Sequence, residues 1–173
     1  MEFRPTIELL QESRNDLFRL EVRDTYGEPG EDEAFSCFMN DEPFDYREWF
    51  QDWYDFVRER TALGVSVSRI RVITVPHSDY QRWLLTLAAL NVEAGERISY
   101  LPRHLAGEVP SDDWWLVDNH TVVFNLADKE GRAVGGSAVT TDPGIVSYCR
   151  SVRDRLQALA TPYAEYFRVT SER

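Results

Sequence analysis

The chain has 173 residues, of which 43% are hydrophobic and 13% aromatic, and its formal net charge is −11. This length and aromatic content are enough for one independent hydrophobic core, which excludes an intrinsically disordered chain. The acidic excess disfavours direct DNA or RNA binding, because affinity for phosphates rests mainly on Lys and Arg. Since no apolar run approaches a membrane span and the N-terminus lacks a signal-peptide pattern, we expect a cytoplasmic protein that does not bind membranes.

The negative charge is concentrated near the N-terminus. Residues 1–60 contain 17 Asp or Glu against 7 Arg, whereas residues 61–173 contain 13 acids against 12 bases. The sequence therefore predicts a single domain with an acidic amino-terminal lobe (about residues 1–60) and an α/β core (about residues 61–168). An acidic lobe favours a basic protein partner, although a solvated, solubilising surface is the simpler interpretation. The candidate partner-binding residues are Glu31, Asp32, Glu33, Asp41 and Glu42.

Cysteine and histidine spacing argues against metal or disulfide chemistry. Cys37 and Cys149 are far apart in apolar neighbourhoods, which favours buried thiols. His77, His104 and His120 are isolated from one another and from both cysteines, without the paired spacing that a zinc site uses. We therefore expect neither a metal nor another cofactor.

Short elements are expected before residue 45. Ile7–Gln11 and Leu17–Val22 have the pattern of short regular pieces, and the turn-rich acidic residues 25–33 indicate a loop. Phe35–Met39 is expected to form a short apolar turn.

A strong helix is predicted after Pro43, ending at Leu63 and Gly64. Apolar and aromatic residues recur on one of its faces, namely Tyr46, Trp49, Phe50, Trp53, Tyr54 and Val57. We expect this face to pack on the sheet. The alternative is an aromatic ligand cage or an exposed groove for a partner.

The central segment between Arg69 and Arg103 has the pattern of a strand, a helix and a second strand. Arg71–Val75 predicts a strand that Pro76 ends, and Arg97–Arg103 returns to extended character. A run of this length favours a right-handed parallel crossover. Ligands of such units tend to bind beyond the carboxyl ends of the strands.

The helix of this segment has recognisable ends. Ser78 is the expected N-cap, with Gln81 positioned for a reciprocal capping box, and Gly95 is the expected stop. Polar residues of the helix and of the neighbouring strand ends form the candidate ligand site. They are Ser78, Asp79, Tyr80, Arg82, Asn91, Arg103 and Asp118. For Arg82 and Asn91, a buried hydrogen-bonding role is an equal alternative.

After this unit, His104–Asp113 is expected to be a loop, followed by strands separated by a polar turn at residues 128–131. A hairpin or meander is therefore predicted there. The run Gly135–Ser137 resembles a phosphate loop only superficially, and a strand bulge is expected.

A final helix is predicted from Asp142, with Pro143 at its first position and Pro162 ending or bending it. Its expected buried face contains Ile145, Val146, Cys149, Val152, Leu156 and Leu159. Together these elements predict an α/β domain with a mixed central sheet flanked by helices.

The segments RIRVITVPHSDYQRWLLTLAALNVEAGERISYLPR and DDWWLVDNHTVVF carry a family resemblance. Nearly the whole chain resembles an uncharacterised actinobacterial family, domain of unknown function 6879. In that family a strand ends in proline, Ser-Asp-Tyr-x-Arg-Trp opens the helix, Asn-x-x-Ala-Gly-Glu closes it and Leu-Pro-Arg follows. Its members look like companions of helix-turn-helix regulators, so the resemblance implies a regulatory or signalling role and brings no activity with it.

The order of elements also resembles, more distantly, half of a phospholipase D-like domain. That superfamily needs His-x-Lys-x4-Asp, whose histidine attacks phosphorus while the lysine neutralises the phosphate. Aligning Asp118 with the motif's aspartate puts Ser111 and Asp113 in the other two places, so we expect no phosphodiesterase activity. A degenerate pocket would retain arginines for an anion or nucleotide. These are Arg82, Arg97 and Arg103.

Three functions are compatible with the sequence. The preferred one is a non-enzymatic regulatory accessory protein that binds a protein partner, such as a helix-turn-helix regulator, through the acidic lobe and the aromatic helix. The second is a small-molecule or nucleotide-sensing domain. The third is an enzyme of unrecognised chemistry, which is disfavoured because no nucleophile, base or metal set converges in the sequence. A homo-oligomer is compatible with all three.

Overall fold

The structure is a computed structural model that describes residues 2–4, 6–128 and 132–171. Its strands are β1 (Glu2–Arg4), β2 (Asp16–Glu21), β3 (Ser66–Ile73), β4 (Arg97–Pro102), β5 (Asp113–Val117), β6 (Thr121–Ala127), β7 (Ala133–Thr140) and β8 (Thr161–Pro162). Its helices are α1 (Thr6–Gln11), α2 (Asp32–Met39), α3 (Tyr46–Trp49), α4 (Gln51–Ala62), α5 (Asp79–Ala94), α6 (Arg103–Ala106), α7 (Pro143–Gln157) and α8 (Tyr163–Ser171).

The described strands form one mixed sheet in the order β1-β7-β6-β5-β2-β3-β4-β8. The strands β2, β3 and β4 run parallel to one another, and the other neighbours are antiparallel. The expected crossover is present, since α5 joins the parallel strands β3 and β4. The prediction of a single α/β domain with a mixed central sheet flanked by helices is therefore confirmed.

One face of the sheet, here called the α7 face, is apolar. Successive side chains of a strand point to opposite faces, so alternate residues of β2, β5 and β6 meet α7. The buried residues of this cluster include Phe18, Leu20, Trp114, Leu116 and Val122 from the sheet and Val146, Cys149, Val152 and Leu156 from α7. This layer is a closely packed hydrophobic core.

The opposite face, here called the α4–α5 face, changes character along the strands. At one end, Leu17 and Val67 pack with Phe56 and Val57 of α4 in a second apolar cluster. Two and four residues further along β2 and β3, the same face carries charged side chains instead. These are Arg19, Glu21, Arg69 and Arg71.

The ends of α5 agree with the sequence. The Ser78 hydroxyl accepts a hydrogen bond from the Gln81 backbone N–H at 3.2 Å, and Gly95 ends the helix with φ of 110°, a left-handed conformation that glycine adopts without strain. The reciprocal half of the capping box is wrong. The Gln81 side chain instead donates to the Asp24 carbonyl at 2.9 Å, which fastens the loop after β2 to the helix.

Three expected elements differ near the N-terminus and in the central unit. The single aromatic helix is two helices that meet at Phe50, and Asp45 caps the start of the first by accepting from the Glu48 N–H at 2.9 Å. The expected turn at Phe35–Met39 lies inside α2. The strand expected at Arg71–Val75 is β3, which begins and ends earlier.

The C-terminal predictions are confirmed in part. The hairpin of β6 and β7 is present, and a register shift opposite Asn125 and Ala127 confirms an irregularity in β7 where the bulge was expected. Residues 129–131 of the expected turn lie outside the described residues. Asp142 caps α7 as expected, but Leu159 is 51% exposed because α7 ends at Gln157.

The expectation of buried thiols is confirmed for Cys149, where burial raises the pKa to about 11, and Cys37 is only partly buried. In the described part of the chain, no three or more His, Cys, Asp or Glu side chains are grouped as metal ligands would be. Each helix of that part is too short or too polar to cross a membrane.

Candidate functional site

A cavity of about 280 Å³ lies on the α4–α5 face, between the charged ends of β2 and β3, the aromatic residues of α3 and α4, and the inner side of α5. The loop that follows β2 borders it. Its lining residues are Arg19, Glu21, Tyr26, Glu28, Glu31, Trp49, Phe50, Trp53, Arg69, Arg71, Tyr80, Leu84, Leu87, Asn91 and Trp115. Because arginine and tryptophan dominate the surface, we call it the Arg–Trp cavity.

Glu21 is the centre of the ionic floor. Its Oε1 accepts from Arg19 Nε at 3.0 Å and from Arg69 Nη1 at 2.5 Å, while its Oε2 accepts from Arg71 Nε at 2.6 Å. Burial alone would raise the pKa of this carboxyl, but the three guanidinium groups together hold it well below its usual range. Glu21 is therefore ionised at neutral pH.

A second carboxylate, Glu96, joins the floor to the helices. It is 1% exposed and accepts from Arg69 Nε and Asn91 Nδ2, each at 2.7 Å, and from Trp53 Nε1 at 3.1 Å. Three elements are thereby held to one buried charge, β3 through Arg69, α5 through Asn91 and α4 through Trp53. A buried hydrogen-bonded network of this kind fixes the positions of its members.

Asp113 is the third carboxylate beside the floor. Its Oδ1 accepts from the Val22 N–H at 2.8 Å, its Oδ2 accepts from the Tyr26 hydroxyl at 2.5 Å, and Arg19 Nη2 lies 3.7 Å from Oδ2. Burial raises the pKa of Asp113 despite these contacts. The three arginines of the floor thus face three carboxylates, Glu21 among them, and the floor has no large excess of charge.

Two guanidinium nitrogens of the floor are left over. Arg69 is 8% exposed and Arg71 is 7% exposed, yet Nη2 of neither has a hydrogen-bond partner among the described residues. Neither nitrogen belongs to the occluded unpaired atoms of this part of the chain, so both remain accessible. The accessible space that both side chains line is the Arg–Trp cavity.

Trp49 and Trp53 form the wall above the floor, and Trp115 of β5 lies beside Arg19 in the sheet below them. The rings of Trp53 and Trp115 are 5.8 Å apart between centroids, and the Arg69 guanidinium lies 5.7 Å from the first and 5.8 Å from the second. Trp49 Nε1 donates to the Gly30 carbonyl at 3.1 Å, which ties α3 to the loop at the rim. The wall offers planar apolar surface beside the unpaired guanidinium nitrogens.

The rim of the cavity is acidic. Glu28 and Glu31 both line it, and Glu31 Oε2 accepts from the Tyr80 hydroxyl at 2.5 Å. Burial raises the pKa of Glu31, and burial together with the adjacent Glu31 raises the pKa of Tyr80 well above its usual range. The Oε1 atom of Glu31 has no hydrogen-bond partner among the described residues, which leaves an acceptor at the rim.

The candidate ligand residues fall into separate places. Tyr80 and Asn91 line the Arg–Trp cavity. Ser78 caps α5 outside it, and Asp79 forms an exposed ion pair with Arg82 one turn along the helix. The structure therefore brings two of these residues together with the floor and leaves the other three at the amino end of α5.

Arg103 and Asp118 contact the chain's own backbone. Arg103 Nη2 donates to the Val22 carbonyl at 2.5 Å and to the Val72 carbonyl at 3.2 Å, which joins the carboxyl ends of β2 and β3. Asp118 has a φ of 51° and accepts from the backbone N–H groups of residues 14–16. Both side chains have local partners, and neither lines the Arg–Trp cavity.

The candidate partner residues are also divided. Glu31 points to the cavity, whereas Asp32, Glu33, Asp41 and Glu42 are exposed on α2 and the segment after it. The charged floor was missed from the sequence. A signal was present, because Arg-x-Glu in β2 and Arg-x-Arg in β3 put charges at alternate positions of otherwise apolar strands, which places them on one face.

Comparison with known proteins identifies a family without an assigned activity. The family model described as a domain of unknown function, DUF6879, matches residues 6–168. That range includes every residue that lines the Arg–Trp cavity. A search of curated proteins found no significant match.

Proposed function

The chain belongs to the DUF6879 family, and we propose that it is a non-enzymatic regulatory domain that senses a small polar molecule in the Arg–Trp cavity. This is the second of the three functions compatible with the sequence. Its binding site is the cavity on the α4–α5 face and not the amino end of α5, where the sequence predicted it. Occupation of the cavity would contact both the sheet and the helices that cover it. A ligand there would therefore favour one arrangement of α3, α4 and the loop after β2.

The carrying observation is the pair of unpaired nitrogens, Nη2 of Arg69 and of Arg71, on nearly buried side chains. Both nitrogens are open to the cavity, so each can donate a hydrogen bond either to water or to a ligand. An acceptor group of a ligand would satisfy both nitrogens. The tryptophan wall supplies the apolar surface that small-molecule sites combine with a few polar groups.

The lining favours binding over catalysis. Among the described residues that line the cavity, none is Ser, Thr, Cys, His or Lys, so the usual nucleophiles and neutral-pH bases do not contribute. The most deeply buried carboxylate of the lining, Glu21, is engaged by three arginines. The lining thus offers several groups that can hold a ligand, whereas Glu31 and Glu28 are the only carboxyls among its described residues that the floor arginines do not engage.

The proposal is tested by filling the cavity. Leu87 of α5 lines it, whereas Leu85 packs in a different cluster of the same helix, so Leu87→Phe and Leu85→Phe form a matched pair. A metabolite library is screened by thermal shift against both variants and the unaltered chain. At a hundred times its Kd, a ligand stabilises the fold by about 2.7 kcal/mol, which raises Tm by roughly 5–10 °C for a chain of this length.

We expect compounds that stabilise the unaltered chain and Leu85→Phe but not Leu87→Phe. Hits that stabilise both variants equally would place the binding site elsewhere. A library without hits, repeated by isothermal titration on the purified chain, would contradict small-molecule sensing.

A second candidate function is binding of a basic protein partner, such as a helix-turn-helix regulator. The supporting observation is the exposure of Asp32, Glu33 and Asp41, none of which forms an ion pair with an arginine of the described chain. The regulator as partner, an actinobacterial origin and a phospholipase D-like topology rest on the sequence resemblances alone.

A further inference from the structure

The Arg–Trp cavity carries hydrogen-bond donors and acceptors of opposite charge on different sides. At its floor are Nη2 of Arg69 and of Arg71, two cationic donors without a partner in the described chain. At its rim is Oε1 of Glu31, an acceptor without a partner in the same residues, with Glu28 beside it. A ligand that satisfies both sides needs an anionic end and a cationic end.

The two sides are close enough for one small molecule. Arg71, Tyr80 and Glu31 all line the one cavity of about 280 Å³, and the Tyr80 hydroxyl donates to Glu31 Oε2 at 2.5 Å. The charges of Arg71 and Glu21 also influence the pKa of Glu31. A ligand that fits this volume has its anionic and cationic groups only a few bonds apart.

The overall charge of the lining excludes a strongly anionic ligand. Three arginines line the cavity together with three glutamates, and Glu96 and Asp113 pair with the same arginines from behind. A phosphate dianion would face uncompensated carboxylates, whereas a zwitterion adds no net charge. The cavity volume of about 280 Å³ also suits a ligand smaller than a nucleotide.

Given the proposed sensing function, on which this step rests, we infer that the ligand is a free α-amino acid with a large apolar or aromatic side chain. Its carboxylate accepts from Nη2 of Arg69 and of Arg71, and its ammonium group donates to Glu31. Its side chain lies against Trp49 and Trp53, the two partly exposed tryptophans of the cavity lining. Each otherwise unpaired group of floor and rim then has a partner.

The test uses amino acids and their truncated analogues as probes. L-Phenylalanine is titrated into the full chain by isothermal calorimetry beside 3-phenylpropionate, which lacks the ammonium group, and phenethylamine, which lacks the carboxylate. L-Tyrosine, L-tryptophan, L-leucine and L-methionine are titrated in the same way, each with its two analogues. For at least one side chain we expect the amino acid to bind about tenfold or more tightly than either analogue, because each analogue loses a charged hydrogen bond.

The contact between the ligand's ammonium group and the rim is tested with a variant of Glu31. Glu31→Gln keeps an oxygen that can accept from Tyr80 but removes the negative charge, and Glu33→Gln on exposed α2 is its matched control. We expect Glu31→Gln to weaken the amino acid about tenfold while 3-phenylpropionate binds equally well or better. Glu33→Gln should leave both affinities unchanged.

The possible outcomes distinguish a wrong ligand class from a wrong sensing function. If library compounds bind the cavity, as judged by Leu87→Phe, but every amino acid binds no better than its analogues, the ligand class is wrong and the sensing function stands. Equal loss of all probes in Glu31→Gln would likewise overturn the ammonium contact. If neither library compounds nor amino acids bind, the sensing function itself is wrong.

Discussion

The two faces of the central sheet are built from the same strands, but one is packed with apolar side chains and the other carries charged side chains beside a cavity. On the α7 face, side chains such as Leu20 and Leu116 are fully buried among other apolar groups. On the α4–α5 face, the neighbouring Arg19 and Glu21 are also shielded from water but lie beside an open cavity. Burying ion pairs rarely stabilises a fold more than apolar residues of similar volume would. The contrast teaches that apolar residues of similar volume would hold this side of the sheet at least as well, which is why we assign the charged face a binding role.

The largest effect on stability is expected from removing Glu21, the centre of the ionic floor. Glu21→Ala would leave three arginines around an uncompensated site, and breaking a buried pair in this way costs about 3–5 kcal/mol. We expect the free energy of unfolding, measured by urea denaturation, to fall by that amount. Tm should fall with it.

An exposed ion pair is the control for that loss. Glu59 pairs with Arg60 at 2.7 Å, but its side chain is 63% exposed, so Glu59→Ala should change the free energy of unfolding by about 0–1 kcal/mol. If Glu21→Ala were as mild as Glu59→Ala, the floor would be hydrated and adaptable, and the ordered donors that the sensing function requires would not exist.

The apolar face should respond in stability alone. Leu156 of α7 is fully buried in the α7-face cluster, so Leu156→Ala creates a cavity there and costs about 2–5 kcal/mol. Ligand affinity, measured by calorimetry below the Tm of the variant, should stay at the level of the unaltered chain. A large loss of affinity in Leu156→Ala would mean that the two faces are coupled through the sheet.

Much of the fold could be predicted because local chemistry determines it. Ser78 and Gly95 mark the ends of α5 by capping rules that depend on a few neighbouring residues, and Asp142 with Pro143 marks the start of α7 in the same way. The break at Phe50 could not be predicted from periodicity, since both helices share the aromatic spacing across it.

The site was harder to predict because its residues are distant in the chain. Tyr80 and Asn91 were identified from the polar positions of one helix, but Glu21, Arg69 and Glu96 come together only when β2, β3 and α5 are assembled. Single charged residues in strands usually point to solvent, and here helices cover both faces. The sheet order, which places β2 beside β3, is what turns alternating charges into a network.

At the rim, the two faces can be distinguished by how the stability of the chain depends on pH. Burial raises the pKa of Glu31, whose surroundings are the Tyr80 hydroxyl, Glu28, Glu21 and Arg71. A raised carboxyl pKa favours the folded state while the group is protonated, so this contribution is present at low pH and is lost as pH rises through the folded-state pKa. Without ligand, Glu31→Gln should therefore match the unaltered chain at low pH and exceed its stability at neutral pH, as measured by urea denaturation across the series.

The bound amino acid should have the opposite effect, so that ionised Glu31 becomes favourable. Its ammonium group favours ionised Glu31, so affinity for the unaltered chain should weaken as pH falls through the raised pKa of Glu31. Calorimetry across the same pH series measures this slope. Identical slopes for the unaltered chain and Glu31→Gln would assign the pH dependence to another group and contradict the rim contact.

The smallest effect on stability per residue is expected for the four exposed acids on α2 and the segment after it, which we call the acidic surface. Replacing its four exposed acids by their amides should change the free energy of unfolding by no more than about 0.5 kcal/mol for each position, because they have no structural ion pairs in the described chain. The substitutions are Asp32→Asn, Glu33→Gln, Asp41→Asn and Glu42→Gln. Asparagine suits position 41, where φ is 55°.

This variant decides the second candidate function without disturbing the first, since none of its four positions lines the Arg–Trp cavity. The tagged chain is used to capture proteins from native lysate at low and moderate salt. Its control has the same net charge but is neutralised elsewhere, at Glu8, Asp52, Glu108 and Glu165. A basic protein retained by the control and lost by the variant would identify the acidic surface as its docking site, because charge complementarity depends on where the charges lie. Equal retention by both would show that these four acids are not the docking site, because removing their charge would then have no effect on binding.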